Sequence, residues 1–333
     1  MKKFKNIISL ALVALCTGFV SLGAVASAAD NSTTSGNGMQ ISPVRTDLTI
    51  EPGSTQSVLV TVKNITSGPA DLQVLINDFT VTKGNETGQP DLILDSNQFA
   101  PSHSLKRFIA PVSNVSLAPG QTKDVKVNIS VPANAAGGGY YGAVRFAPVA
   151  AGTGKNINLS ASVGSLILVK VPGDIKEQLS VASFDVRSGK DASAASSFFV
   201  SNNSLSSVVR FQNTGNLQEQ PFGKIVLKKG DKVLQSTEIN NTTPRGNVLP
   251  DSIRRFDIPL NKVGWFGKYS VEGNFGYGAN GQLISARTTF YVIPVLLIVI
   301  SLAVIALILL AIFGLPRAIR AYNQRILRNA RRR

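Results

Sequence analysis

An apolar run near the carboxyl end constrains this chain more than any other feature. Residues 290–313 contain no charged side chain, and only Pro294 and Ser301 interrupt their apolar character. About 20 such residues cross the hydrocarbon core of a bilayer as a helix. We therefore predict a single transmembrane helix over 290–313. We expect Gly314 and Pro316 to end it.

A basic segment follows the apolar run. Residues 314–333 contain no acidic side chain. They carry seven arginines: Arg317, Arg320, Arg325, Arg328, Arg331, Arg332 and Arg333. Positive residues beside a span stay on the cytoplasmic side, so we predict a cytoplasmic tail and a single-pass type I protein of the cell membrane, with its ectodomain outside the cell. The arginines would act only as a stop-transfer signal that fixes the topology, or they would also hold an amphipathic helix on the inner leaflet of the membrane.

The amino end has the three parts of a secretory signal peptide. Lysines at 2–5 precede an apolar stretch over 7–20, and the Ala-Ser-Ala sequence at 26–28 fits the small-residue cleavage pattern. We predict a signal peptide over 1–29. The polar residues 30–39 then form a flexible spacer.

The two ends also explain most of the charge. The chain carries a formal charge of +15, and the predicted signal and tail hold ten of these charges, which leaves about +5 for the part between them. The high isoelectric point therefore gives no argument for a nucleic-acid partner, and we predict none. Cys16 is the only cysteine and lies in the predicted signal. We expect the mature fold to be held by core packing without a disulfide.

Between the two ends, apolar and polar residues alternate. Val125, Val127 and Ile129 alternate with polar residues over 124–129, and residues 57–63 show the same period. A period of two indicates a half-buried strand. Further predicted strands cover 72–76, 141–146, 166–171, 207–211, 224–227, 255–258, 269–274 and 283–290. No amphipathic helix is predicted before the membrane span, so the fold class is all-β.

The strand-and-turn order occurs twice. Residues 50–60 resemble 117–127 around a Pro-Gly turn, and the strand that ends in Asn64 resembles the strand that ends in Asn213. The segment at 114–119 likewise matches 247–250. We predict two tandem Ig-like antiparallel β-sandwich domains, followed by a single transmembrane α-helix. Their limits are placed at 40–173 and 174–289.

These motifs resemble the DUF916 type of Gram-positive surface protein, also described as WxL-interacting proteins. The resemblance rests on the Pro-Gly turns, the Gly-Gly-Tyr-Tyr-Gly-Ala-Val-Arg-Phe stretch at 138–146, and the Pro-Phe-Gly-Lys-Ile stretch at 221–225. The C-terminal helix and basic tail complete that family's layout. The resemblance implies a peptidoglycan-binding first domain and a second domain that holds another surface protein.

Few residues offer catalytic or metal-binding chemistry. His103 is the only histidine, and we expect it on a solvated loop. The alternative is a catalytic dyad with Asp91 or Asp95. Together with Glu86 these carboxylates lack the spacing of a calcium loop. We predict no enzyme activity, no cofactor and no metal.

Three aromatic residues are candidate ligand contacts. Tyr140 and Tyr141 are neighbours in a predicted strand, so one faces the core and the other faces outward, where it can contact glycan. Trp265, the only tryptophan, either stacks on sugar rings or partner strands or closes the core or a hairpin of the second domain. The glycines at 137–139 are expected to allow close backbone approach.

The favoured hypothesis is a membrane-anchored scaffold or adhesion-type protein of the bacterial surface. Its partners would be cell-wall peptidoglycan, another surface protein, or both. The alternatives are a membrane-tethered cell-wall enzyme or enzyme inhibitor, and an accessory chaperone-like subunit of surface-structure assembly.

Overall fold

A computed structural model describes residues 38–149, 162–189 and 194–330. The predicted signal peptide, most of the predicted spacer, and Arg331, Arg332 and Arg333 lie outside the described residues. Within the described residues the strands are β1 (Met39–Ser42), β2 (Arg45–Thr49), β3 (Thr55–Asn64), β4 (Ala70–Thr80), β5 (Asp91–Leu92), β6 (Val115–Leu117), β7 (Thr122–Ser130), β8 (Gly138–Pro148), β9 (Val163–Val171), β10 (Leu179–Ser188), β11 (Ala194–Ala195), β12 (Phe198–Phe199), β13 (Leu205–Asn213), β14 (Phe222–Lys229), β15 (Lys232–Ile239), β16 (Ile253–Pro259), β17 (Gly267–Tyr277) and β18 (Gln282–Val292).

Helical structure is concentrated at the carboxyl end. Helix α1 (Val295–Leu309) passes through a π-helical turn (Leu310–Gly314) into helix α2 (Leu315–Ala330). A single 3₁₀ turn, Lys106–Phe108, lies among the strands. The predicted fold class, all-β sandwiches followed by one helix, is confirmed.

The first sandwich packs two sheets around one apolar core. One sheet has the order β1-β3-β7, and the other has the order β2-β9-β8-β4-β5, with β6 also paired to β4. Most pairs are antiparallel, while β2 runs parallel to β9. The alternating residues predicted to face inward do so, because Val125, Val127 and Ile129 are all buried.

The second sandwich repeats this arrangement around its own core. Its sheets have the orders β11-β10-β13-β16 and β12-β18-β17-β14-β15. Strands β17 and β18 are the longest hairpin, with eleven register pairs from Gly267↔Val292 to Tyr277↔Gln282. Strand β11 has only two residues and pairs with the end of β10.

The internal repeat corresponds to the same feature in both sandwiches: a buried asparagine that hydrogen-bonds to local and remote backbone groups, here called the asparagine lock. Asn64 is fully buried; its Nδ2 donates to the carbonyl oxygen of Gly68 at 2.8 Å, and its Oδ1 accepts from the Thr66 backbone N–H at 2.9 Å. The same Nδ2 reaches the Leu117 carbonyl at 3.3 Å. The side chain therefore joins the end of β3 to the loop after it and to β6.

Asn213 makes the matching contacts at the end of β13. Its Nδ2 donates to the carbonyl oxygens of Leu217 at 2.7 Å and Val248 at 2.9 Å, and its Oδ1 accepts from the Gly215 N–H at 2.9 Å. The local partners again lie two and four residues onward, and the remote partner again lies in the repeated Asn-Val-x-Leu or Asn-Val-Leu-Pro segment. Buried backbone groups need such partners because water cannot reach them.

The predicted start of the membrane helix is wrong by five residues. Phe290 and Val292 belong to β18 and are fully buried in the second core, and α1 begins only at Val295. Apolarity alone cannot separate the end of a buried strand from the start of a span. The segment Val295–Gln324 is the one described helical stretch that is long and apolar enough to cross a membrane.

The predicted end of the span also differs from the structure. The helix does not stop at Gly314 and Pro316 but continues to Ala330. A proline lacks the N–H of a normal helical turn and crowds the carbonyl four residues before it. The π turn directly before Pro316 widens the backbone and accommodates the ring. Arg317 and Arg320 project as exposed side chains from the continuing helix, and those of Arg325 and Arg328 lie outside the described residues.

Candidate ligand-binding surfaces

The first sandwich sits on the end of the second sandwich that lies opposite the helix. The contacting segments of the second sandwich follow β13 and precede β16, whereas β18 runs away from them to the helix. A small apolar cluster fills the contact: Phe79, Tyr141, Ala143, Leu168 and Leu249. The first sandwich is therefore held away from the predicted membrane surface.

Glycine allows the two backbones to touch at this junction. The Gly139 N–H donates to the carbonyl oxygen of Asn216 at 2.8 Å, and the Asn216 Nδ2 donates to the carbonyl oxygen of Gly137 at 3.0 Å. A Cβ on Gly138 would lie 2.9 Å from that Asn216 oxygen, and Gly138 has a φ of +150°. The predicted close approach at 137–139 is confirmed, and a backbone of the second sandwich is what approaches.

An ion pair adds a second bridge between the sandwiches. The Arg210 guanidinium donates through both Nε, at 2.8 Å, and Nη2 to the carboxylate of Glu86. The bidentate hydrogen bond from Arg210 holds the pKa of Glu86 below its usual range, against the opposing effect of burial. The loop 82–90 of the first sandwich is thereby fixed against β13.

Both Tyr140 and Tyr141 pack and hydrogen-bond within the fold. Tyr141 is buried, and its hydroxyl donates to Gln218 Oε1 of the second sandwich at 2.9 Å. Tyr140 is half-buried, packs its ring 4.7 Å from that of Phe108, and donates to the carbonyl oxygen of Ala136 at 2.9 Å. The predicted outward-facing tyrosine is not free for a ligand: Tyr141 is covered by the junction, and Tyr140 packs against Phe108 and the first core.

His103 lies on a loop, as expected, but it is half-buried rather than solvated. Its Nδ1–H donates to the carbonyl oxygen of Gly139 at 2.6 Å, and its ring lies 5.8 Å from that of Tyr141. The carboxylate of Asp91 accepts from Thr82 and Asn85, and that of Asp95 accepts from Asn97. The structure thus gives these acids loop-forming hydrogen bonds and not the catalytic dyad.

A cavity between the sandwiches is too small for a glycan. It measures about 110 Å³, and Arg45, Arg254, Phe79 and Leu249 are among its lining residues. Pockets for drug-sized ligands are about 300–1,000 Å³. Within the described residues no group of three or more His, Cys, Asp and Glu side chains could hold a metal. The prediction that the protein binds no metal stays a prediction.

The long connection between β5 and β6 is the most elaborate loop of the first sandwich. A fully buried carboxylate, Asp78, organises it by accepting the backbone N–H of Ala100 at 2.9 Å and of Lys106 at 2.8 Å. The loop presents Phe99 with 44% of its surface exposed, and two cations lie over that ring, Lys106 Nζ at 4.7 Å and the guanidinium of Arg107 at 5.0 Å. Loops of this length inside compact domains usually carry function.

Trp265 is well exposed, with 64% of its surface free, so the interpretation as a core or hairpin-closing residue is wrong. It lies between β16 and β17 and packs against Phe266 at 6.0 Å between ring centroids. This loop is at the end of the second sandwich from which the helix leaves, because Gly267 pairs with Val292. The first sandwich, at the other end, does not share it.

The buried Glu219 at the junction makes stability depend on pH. Burial, together with nearby Glu177, raises the pKa of Glu219 to about 7. A raised folded-state pKa stabilises the protein below the unfolded value of 4.5, and this contribution is lost as pH rises through about 7. We expect the ectodomain to be about 2 kcal/mol more stable at pH 5 than at pH 8 from this group alone, allowing for screening by solvent.

The matched variant for this prediction is Glu219→Gln. It keeps an acceptor for the Gly278 N–H, which Glu219 Oε2 now binds at 3.1 Å, but it cannot ionise. Denaturant unfolding at pH 5 and pH 8 should show that the variant has lost most of the pH difference. An unchanged difference in the variant would mean that another group carries it.

A comparison with protein families matches part of this chain. The model described as WxL Interacting Protein, peptidoglycan binding domain, matches residues 46–148. This range runs from β2 to β8 and includes the loop organised by Asp78. The resemblance predicted from the motifs is confirmed. No curated protein matches the sequence.

Solved structures with a similar arrangement are distant. The class 5 fimbriae chaperone CfaA has 13% identity and a TM-score of 0.38, covering 77% of this chain and 100% of that chain. The E. coli chaperone DraB has 14% identity and a TM-score of 0.32, covering 77% and 96%. A chain of the Salmonella enterica SafA pilin–SafB chaperone complex has 11% identity and a TM-score of 0.34, covering 77% and 96%. Likeness at this level carries no inference about function.

Proposed function

We propose that this chain, whose first sandwich matches the model described as WxL Interacting Protein, peptidoglycan binding domain, is a membrane-anchored bacterial surface protein that binds the cell wall through that sandwich. The family match over 46–148 is the observation that carries the proposal. The helix over 295–324 anchors the chain, with the sandwiches outside and the basic tail inside the cell. It is not an enzyme.

The loop organised by Asp78 is the ligand contact within that sandwich. Peptidoglycan offers sugar rings and the carboxylates of its peptide stems. The exposed ring of Phe99 can pack on a sugar ring. The cations beside it, Lys106 and Arg107, can pair with a stem-peptide carboxylate. The loop is fixed by buried hydrogen bonds, so little conformational entropy is lost when a ligand binds.

Binding to purified peptidoglycan tests the proposal. The soluble ectodomain should run from 38 to 293, because a boundary at 289 would remove Phe290 and Val292 from the core. We expect sedimentation with insoluble peptidoglycan, and about tenfold weaker binding after Phe99→Ala combined with Arg107→Gln. Lys106 is left in place because its Nζ also holds the carbonyl oxygens of Ser96 and Gln98.

Lys126→Gln is the matched control. Lys126 is an exposed cation on β7 of the same sandwich and lies outside the loop. Equal weakening by both changes would show that binding depends on net charge alone. An ectodomain that stays in the supernatant would remove peptidoglycan as the ligand.

A second binding activity is proposed for the second sandwich, toward another surface protein. The supporting observation is the exposed edge strand β15, which ends the five-stranded sheet and displays Val233 with 53% of its surface free. Edge strands with free backbone groups can accept a strand from a partner. In a pull-down from a whole-cell extract, we expect the ectodomain to retain a surface protein, and we expect that retention to be lost when the second sandwich is deleted.

A further inference from the structure

The second sandwich ends in an exposed apolar rim around the point where the helix leaves. Four side chains form this rim: Phe198 at 66% exposed, Val200 at 64%, Trp265 at 64% and Phe266 at 47%. They come from β12 with the loop after it, and from the loop between β16 and β17. The Asn202 Nδ2 joins these two segments by donating to the carbonyl oxygen of Val263 at 2.8 Å. The rim is thus one surface built from distant parts of the chain.

The strand register fixes how close the rim lies to the membrane. Gly267 pairs with Val292, the last residue of β18, and only Ile293 and Pro294 separate that strand from α1. Trp265 and Phe266 directly precede Gly267, so they lie within two residues of this last register pair. Two extended residues span at most about 7 Å. The rim therefore lies close to the end of β18, from which the chain enters the first turn of the span.

Hydrogen bonds hold the rim in this position. The Phe266 carbonyl oxygen accepts from the Tyr269 hydroxyl at 3.1 Å and from Lys229 Nζ at 3.0 Å. Phe198 stacks on Tyr291 of β18 with ring centroids 5.1 Å apart and an interplanar angle of 13°. These contacts orient the aromatic loops with respect to the strand that continues into the helix.

Charged groups at this end of the sandwich are mainly positive. Lys229, Lys232, Lys262 and Lys268 are exposed there, and Asp231 is the acid among them within the described residues. Tryptophan and other aromatic residues are enriched where membrane headgroups meet the hydrocarbon, and lysines favour anionic headgroups. In water alone, these exposed apolar side chains would keep an unfavourable free energy of hydration.

We propose that this rim, Phe198, Val200, Trp265 and Phe266, inserts into the headgroup layer of the membrane and holds the second sandwich upright on the bilayer. The occupant is the lipid surface, since these residues adjoin β12 and β17, the two neighbours of the strand that continues into the helix. Trp265 is thus a membrane contact and not a glycan contact. The proposal rests on the membrane anchoring given under the proposed function.

Tryptophan fluorescence tests the proposal directly because the chain has only one tryptophan. The full chain is reconstituted into vesicles of phosphatidylcholine and phosphatidylglycerol whose acyl chains are brominated near the headgroup. We expect Trp265 emission to be quenched by these lipids, shifted to shorter wavelength, and protected from aqueous acrylamide.

A relocated tryptophan gives the matched control. The variant Trp265→Phe with Leu59→Trp places the indole on β3 of the first sandwich, at a side chain with 57% of its surface exposed. Its emission should be quenched by acrylamide and unaffected by the brominated lipids. Emission of Trp265 that matches this control would overturn the proposal.

Vesicle flotation separates this result from the anchoring itself. If the chain floats with the vesicles but acrylamide still quenches Trp265, the helix anchors the chain and the rim does not insert into the membrane. A chain that does not float contradicts the anchoring and the rim together. Peptidoglycan sedimentation is independent of both outcomes.

Discussion

Replacing Phe290 with alanine is expected to destabilise the second sandwich by about 3–5 kcal/mol. Phe290 is fully buried, stacks on Tyr269 with centroids 5.4 Å apart, and meets the ring of Phe199 edge-on at 5.8 Å. The change removes a large side chain from the centre of the core and leaves a cavity that its aromatic neighbours cannot refill. Denaturant unfolding of the ectodomain over 38–293 measures the loss.

Leu283→Ala is the control for this prediction. Leu283 belongs to the same strand, but 83% of its surface is exposed. We expect its replacement to change the free energy of unfolding by no more than about 0.5 kcal/mol. A small effect of Phe290→Ala would indicate that the strand separates from the core and that residue 290 belongs to the membrane segment.

Replacing Asn213 with alanine is expected to cost roughly 4 kcal/mol, because each buried polar group left without a partner costs about 1–3 kcal/mol. The change leaves the carbonyl oxygens of Leu217 and Val248 and the N–H of Gly215 without their hydrogen-bond partner. Asn64→Ala should destabilise the first sandwich in the same way. Thermal unfolding, followed separately for the two sandwiches by hydrogen exchange, assigns each loss to its domain.

Asn114→Ala is the matched control for the asparagine lock. Asn114 is exposed, and its Oδ1 accepts one long hydrogen bond, 3.4 Å from the Val74 N–H. We expect a change of no more than about 0.5 kcal/mol. Equal losses for Asn114 and Asn213 would contradict the role assigned to burial.

Strands with an unbroken period of two could be predicted from the sequence. The strand over 124–129 and that over 269–274 lie inside the observed β7 and β17. Strand β10 could not be predicted, since a register shift between Val181 and Ser183 breaks its alternation. Strand β15 at the sheet edge is half exposed on both faces, so its pattern is weak.

The candidate surfaces could be predicted less well than the strands. The repeat around Asn64 and Asn213 was visible in the sequence, although the reason for it is a set of remote backbone partners. The role of Asp78 depends on N–H groups 22 and 28 residues away, which no local pattern shows. Trp265 could be recognised as unusual, but its position near the end of β18 follows only from the strand register.

The path from β10 to β18 has a mechanical consequence. Strand β10 begins at the end of the second sandwich that carries the first sandwich, and β18 leaves from the opposite end. A pull between a wall-bound first sandwich and the membrane therefore acts along the strands. It loads the eleven register pairs of β17 and β18 in shear, all at once. If the first sandwich binds the wall as proposed, these pairs resist tension together rather than one bond at a time.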